Sequence, residues 1–250
     1  MCLGKGCFLT KLAVILALAA VPRFHVQPRE LNLLKSNPQP FTAEKTDPSN
    51  DFLPVQSKNA KDVGAGKLLV ASRTLGDPNF AETVVLLVRC DTEGVVGLIL
   101  NRRTDVPLSR VLDQFEAAKD RSDPVYLGGP VEVPAVFGLL QSTTKIDGAE
   151  QVFNGVYLIS TKAVFEKAMA ARPGPGMFHV YLGYAGWSND QLQREIELGS
   201  WFIFQGDAKT VFDSDPDALW RQMIQKTELK SAWNAPADAP AQASFLTLSN

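Results

Sequence analysis

The stretch TVVLLVRCDTEGVVGLILN, Thr83 to Asn101, decides how the rest of the chain is read. Its two apolar runs, Thr83–Arg89 and Val95–Asn101, offer hydrophobic side chains to both alternating faces, as strands in the middle of a sheet do. Asp91-Thr92-Glu93-Gly94 between them is a compact turn, so the two runs form an antiparallel hairpin. A hairpin at the centre of the chain argues against a doubly wound parallel sheet and for an α+β domain.

Working outward, KLLVAS (67–72) precedes the hairpin, and PVYLGGP (124–130), AVFGLLQS (135–142), GVYLIS (155–160), FHVYLGY (178–184) and WFIFQ (201–205) follow it as strand candidates. Helices fall between them. Leu108, Val111, Leu112 and Phe115 share one helical face, as do Val164, Phe165 and Met169. Asp215 can cap a helix with Pro216 at its first position, whose stripe is Leu219, Trp220, Met223 and Ile224.

The stretch GYAGWSNDQLQREIELGSW, Gly183 to Trp201, reads as a strand ending at Tyr184, a glycine corner, a capped helix and a return strand. Ser188 and Gln191 have capping-box spacing, in which the hydroxyl takes a backbone N–H and the amide reaches back to the cap. Trp187 and Leu192 are placed as a hydrophobic staple, Ile196 joins Leu192 on the core face, and Gly199 supplies a left-handed stop.

The sequence of 250 residues is 45% apolar and 21% charged, an ordinary balance for a folded protein. A net charge of −2 and the lack of a dense Lys/Arg tract speak against direct nucleic-acid binding. Cys2, Cys7 and Cys90 have no C-x-x-C spacing, and His25 and His179 are the two histidines, so neither a disulfide framework nor a His-rich metal site or His-dependent triad is signalled. No cofactor fingerprint, Walker loop, nucleophile elbow or HExxH motif is present.

Residues 1–22 have Lys5 and Lys11, an apolar run from Leu12 to Val21 and small residues around Ala17–Ala19, the layout of a secretory signal. The run is shorter than the roughly twenty residues of a membrane span. Export is the expectation from this leader, with a start codon assigned too far upstream as the alternative. Residues 23–62 read as a linker rich in Pro, Asn, Lys, Ser and Gln, 63–233 as the folded domain, and 234–250 as a Pro/Ala-rich tail.

Four stretches, LLVASRTLGDPNFAETVVLLV, GVVGLILNRR, VYLGGPV and GYAGWSNDQLQREIELGSW, together resemble the YqgE/AlgH family of bacterial proteins, described chiefly as uncharacterised or as candidate transcriptional regulators. The resemblance covers about Gly66 to Trp233. It implies a single α+β domain with a bent, largely antiparallel sheet that approaches a pseudo-barrel, flanked by several helices. Arg103 stands where the family commonly has proline, Cys90 where histidine is frequent, and Asn189 and Asp190 where a Gly/Pro-rich corner is common. Those departures weaken an enzymatic reading more than they weaken the fold.

Candidate site residues are Asn101 and Arg102, at the end of a buried strand where guanidiniums can clamp a carboxylate or phosphate. Gly128 and Gly129, before Pro130, can bring backbone N–H groups to an anion. Trp187 and Gln191 can line a cleft at the start of the helix. Each has a structural alternative: a solvated strand end with Asn101 capping a turn, a tight turn, and a staple with a solvated helix face. Cys90 beside Arg89 has no sequence-adjacent base, which points to an inert thiol. The leading expectation is a non-enzymatic protein that binds a small ligand or a protein partner. The second is an enzyme whose cleft collects those six residues.

Overall fold

The hairpin forms as the sequence predicts. The computed structural model describes residues 57–174 and 176–233, with the side chains of 228–233 excepted, and in it β2 (Val84–Asp91) and β3 (Gly94–Ile99) pair antiparallel from Val85↔Ile99 to Asp91↔Gly94, with an irregularity between Leu87 and Arg89. β1 (Lys67–Ala71) lies on the other side of β2 and also pairs with β10 (Trp201–Gln205). Strands flanked on both sides and covered on both faces must be apolar throughout, and Leu68 to Ala71 and Val84 to Leu87 are all fully buried.

The remaining strands are β4 (Arg103–Pro107), β5 (Pro124–Leu127), β6 (Val131–Gln141), β7 (Glu150–Phe153), β8 (Val156–Ile159) and β9 (Phe178–Trp187). β9 joins two halves of the sheet. Ala185–Trp187 pairs with β3, whereas Phe178–Tyr184 pairs antiparallel with β6 and Val180–Leu182 runs parallel to β5. Gly183, at φ 68°, sits where the strand changes partners, a left-handed conformation that glycine adopts without a Cβ penalty. β8 and β7 complete the path beyond β6, and β4 pairs with β5.

The sheet curls until β7 approaches β2. Arg89 binds both carboxylate oxygens of Glu150 at 2.7 and 2.8 Å, and a Cβ on Gly66 would stand 3.2 Å from the carbonyl oxygen of Val152. The result is the expected α+β domain with a pseudo-barrel. Its interior is a continuous core drawn from β1, β2, β3, β9 and β10, and from α3 (Asn189–Glu197), α4 (Ala208–Phe212) and α5 (Pro216–Trp233). A second core lies under α1 (Leu108–Val111) and α2 (Lys162–Ala170), where Leu108, Leu112 and Phe165 meet Phe178 and Val180.

Several elements differ from expectation. The apolar residues from Leu108 to Phe115 are buried as their spacing predicts, but the helix stops at Val111 and a separate 3-10 turn spans Glu116–Ala118. The chain there is held from outside: Leu108 N–H donates to Asp123 O, and Arg121 grips Asp123 at 2.6 and 3.0 Å and Pro173 O at 2.7 Å. β9 runs on to Trp187 instead of ending at Tyr184, because β3 takes over its pairing. β4 and β7 are short and mostly half-buried or exposed, and α4 is a five-residue helix that buries Val211 and Phe212, so their sequence carries no clear period. In α5 the expected stripe is buried, Asp217 N–H donates to Asp215, and Trp220 reaches the carbonyl of Ala71 at 2.8 Å.

The leader at 1–22, residues 23–56 of the expected linker and the tail at 234–250 lie outside the described residues; the rest of that linker, 57–62, is described, with Ser57 bridged to Ile203 and a 3-10 turn over Ala60–Asp62. Among the described residues no helix is long and apolar enough to cross a membrane.

Candidate functional site

α3 begins as its sequence predicts. Ser188 Oγ accepts the N–H of Gln191 at 3.2 Å, Leu192 and Ile196 are buried, and Gly199 ends the helix at φ 78°. One expectation is corrected: the Gln191 amide does not return to the cap but donates forward to Glu195 Oε1 at 2.9 Å. The pull comes from Glu195, whose Oε2 accepts both indole N–H groups, from Trp187 at 3.1 Å and Trp201 at 2.8 Å. The carboxylate draws the amide forward by taking its N–H in a charge-assisted hydrogen bond, where the cap offers only a neutral backbone N–H to the amide oxygen, and it satisfies two donors that would otherwise be buried unpaired.

Phe80 completes the cluster, stacked on Trp187 at 5.3 Å and edge-on to Trp201 at 5.8 Å. Its loop, Ser72 to Thr83, is fastened from behind. Asn101 donates to Glu82 O and accepts from Val84 N–H, both at 2.9 Å, and Arg102 donates to Pro78 O at 3.1 Å. Burial lowers the Arg102 pKa, and Asp77 partly restores it. Gly128 and Gly129 bring the β5–β6 link against β9: a Cβ on Gly128 would stand 2.3 Å from Gly183 O, and one on Gly129 2.2 Å from the carbonyl carbon of Tyr184. Of the six residues singled out in the sequence, Trp187 and Gln191 therefore meet at Glu195, Asn101 and Arg102 meet at the Phe80 loop, and the glycines lie against β9.

Two open clefts lie beside α3, lined by other residues. One, of about 490 Å³, is lined by Ser57, Lys58, Asn59, Ala60, Lys61, Gln193 and Glu197. Its neighbour, of about 430 Å³, is bounded by Ala60, Val63, Cys90, Asp91, Thr92, Val95, Asn189, Leu192 and Gln193. They share Ala60 and Gln193, so they form one groove between α3, the β2–β3 turn and the segment Ser57–Val63. None of the six singled-out residues lines either cleft. That Asn189 and Gln193 share a helical face was readable from their spacing. That the segment before β1 crosses that face was not, since it depends on the bridge Ser57↔Ile203, which carries Ser57 onto β10.

The titratable groups nearest to chemistry are held in unreactive forms. Burial, with Asp91 adding to it, pushes the Cys90 thiol up to about 11, far from the thiolate that nucleophilic chemistry needs. Burial pushes His179 down to about 4, only partly opposed by Asp123 and Asp213, and its ring stacks on Tyr126 at 5.0 Å and meets Phe212 at 5.1 Å. Among the described residues no group of three or more His, Cys, Asp or Glu side chains gathers as a metal site.

Comparison with known proteins fits this architecture. A family profile described as AlgH-like (DUF179) matches residues 68–232. A UPF0301 protein of Streptomyces avermitilis is 33% identical over 181 residues, covering 69% of this chain and 92% of the relative. Another from Chlorobaculum tepidum is 35% identical over 170 residues, 64% of this chain and 84% of its own length. Among solved structures, the solution structure of the AlgH protein from Pseudomonas aeruginosa superposes with a TM-score of 0.53 at 26% identity, covering 79% of this chain and all of that one. A crystal structure of a Corynebacterium diphtheriae protein, at 21% identity and a TM-score of 0.55 over 66% of this chain and 87% of its own, shares the fold. With the profile spanning the sheet and its helices from β1 into α5, the chain belongs to the AlgH-like family of uncharacterised UPF0301 proteins.

Proposed function

We propose that this protein is a non-enzymatic binding protein, that its site is the groove beside α3, and that any regulatory role runs through a ligand or protein partner taken there. The observation that carries the reading is the groove itself: two adjoining clefts with an apolar floor of Ala60, Val63, Val95 and Leu192 and a rim of amides, lysines and carboxylates. Clefts with apolar walls and a few convergent polar groups are the usual form of a recognition site. The thiol that faces it, Cys90, is held protonated, which supports binding over covalent chemistry.

The test is a two-dimensional NMR titration of the full chain with a panel of small metabolites and short peptides. A saturable shift of the Thr92, Asn189 and Gln193 amide resonances is expected for at least one of them. A panel that moves none of these resonances, or moves only those of the Phe80 loop, would sink the reading. Direct operator binding is not part of the proposal. Fluorescence anisotropy at physiological salt is expected to show no tight binding to duplex DNA, since such binding draws on many phosphate contacts and the chain has no matching basic tract.

A further inference from the structure

The groove has a polarity and a spacing that select among ligand classes. Along α3 it runs from Asn189, beside Asp91, through Gln193 to Glu197, beside Lys58 and Lys61. Eight residues of helix cover about 12 Å, the length of three to four residues of extended chain at about 3.3 Å each.

Both amides are already oriented. Asn189 donates its Nδ2 to Asp91 O, and Gln193 its Nε2 to Glu197 Oε1, each at 2.9 Å. One N–H of each amide is thus engaged, which fixes the amide plane, and the carbonyl oxygens, Asn189 Oδ1 and Gln193 Oε1, have no hydrogen-bond partner among the described residues. Residues four apart on a helix stand about 5–6 Å from one another. Alternate residues of an extended strand, whose N–H groups point the same way, are about 6.7 Å apart. A shift of about half an ångström in each amide closes that difference.

Charge fixes the direction. One end has the ammoniums of Lys58 and Lys61 against the single carboxylate of Glu197; the other has Asp91 and no cation in its lining. Lys58 also rests over the Phe202 ring at 4.9 Å, while Lys61 has no salt bridge among the described residues.

We infer that the groove binds an extended peptide of three to four residues, whose alternate backbone N–H groups donate to Asn189 and Gln193 and whose acidic side chain lies over Lys58 and Lys61. This inference rests on the binding role proposed above and names its ligand. Small apolar or hydroxyl side chains fit over the floor of Ala60, Val63, Val95 and Leu192.

Fluorescein-labelled hexapeptides of sequence Gly-Ala-X-Ala-Ala-Gly, with X as Glu, Gln or Lys, are titrated against the full chain by anisotropy at low salt. The Glu peptide is expected to bind about fivefold more tightly than the Gln peptide, the upper range for one exposed ion pair. Lys61→Glu should remove that preference and favour the Lys peptide. Gln193→Leu should weaken all three by about fivefold, one lost hydrogen bond, and N-methylation of two alternate peptide amides should weaken binding to the native chain by about twenty-five-fold, two lost hydrogen bonds. Lys61 and Gln193 are exposed, so both variants keep the fold, which circular dichroism checks. Absence of peptide binding up to ~1 mM, or affinities indifferent to both substitutions, overturns the inference. A metabolite that shifts Asn189 and Gln193 while no peptide does overturns the peptide and leaves the binding role standing; silence from both classes removes both.

Discussion

His179 gives the sharpest quantitative expectation. It is the one histidine among the described residues, enclosed by Tyr126 and Phe212, with burial pushing its pKa from 6.5 down to about 4 against the weaker pull of Asp123 and Asp213. The folded state therefore resists the proton more than the unfolded chain does. The resulting stability is fully present above the unfolded value near 6.5 and is lost as pH falls through the window from 6.5 to 4. With those two values the linkage integral from pH 7 to pH 5 is about 2 kcal/mol, and about 3 kcal/mol once the folded ring is also protonated. His179→Phe keeps an aromatic ring between Tyr126 and Phe212 but cannot titrate. Urea unfolding of both proteins at pH 7, 6 and 5 should show the native chain losing about 2 kcal/mol more than the variant between pH 7 and 5. Equal losses would refute the argument, because they would mean that His179 titrates alike in the folded and unfolded chains. His25 is common to both proteins and cancels in the comparison.

Glu195→Ala leaves the indole N–H groups of Trp187 and Trp201 without their acceptor and should cost about 3 kcal/mol in urea unfolding, with Glu195→Gln costing about 1 kcal/mol because an amide oxygen still accepts. A Glu195→Ala protein as stable as the native one would show that the carboxylate is dispensable. Trp187→Ala removes a buried ring packed on Phe80 and Trp201 and should cost about 3–5 kcal/mol, against about 1 kcal/mol for Ser188→Ala, which removes one cap. A near-native melting temperature for Trp187→Ala would reassign that residue to binding. For the leader, mass spectrometry of the chain recovered from its host should find a start near Ala20 outside the cytoplasm; an intact Met1 in the cytoplasmic fraction would end the export expectation.

The residues that carried the family resemblance now have physical roles. Phe80 comes from one motif, Asn101 and Arg102 from the second, Gly128 and Gly129 from the third, Trp187 and Trp201 from the fourth. Phe80, Asn101, Arg102, Trp187 and Trp201 converge on the Phe80 loop and the Glu195 carboxylate, and the glycines admit β9 at contact distance. A motif is readable because its residues sit in a fixed local order. The use made of them depends on partners far away in the chain.

Sequence alone determined what local patterning can determine. The Thr83–Asn101 hairpin, the fully apolar strands, the Ser188 cap, the Gly199 stop and the stripe of α5 follow from period, turn chemistry and capping, which act over a few residues. Tertiary structure decided what requires distant partners: the exchange of β9 between β6 and β3, the end of the Leu108 helix at Val111, and the Gln191 amide turned toward Glu195. It also decided the groove. Asn189 and Gln193 face outward by helical period, but they line a cleft because two backbone hydrogen bonds, each 2.9 Å, tie Ser57 to Ile203, 146 positions away, and so lay the segment before β1 across α3. No window of neighbouring residues contains that contact, since its energy exists only when the whole sheet has formed.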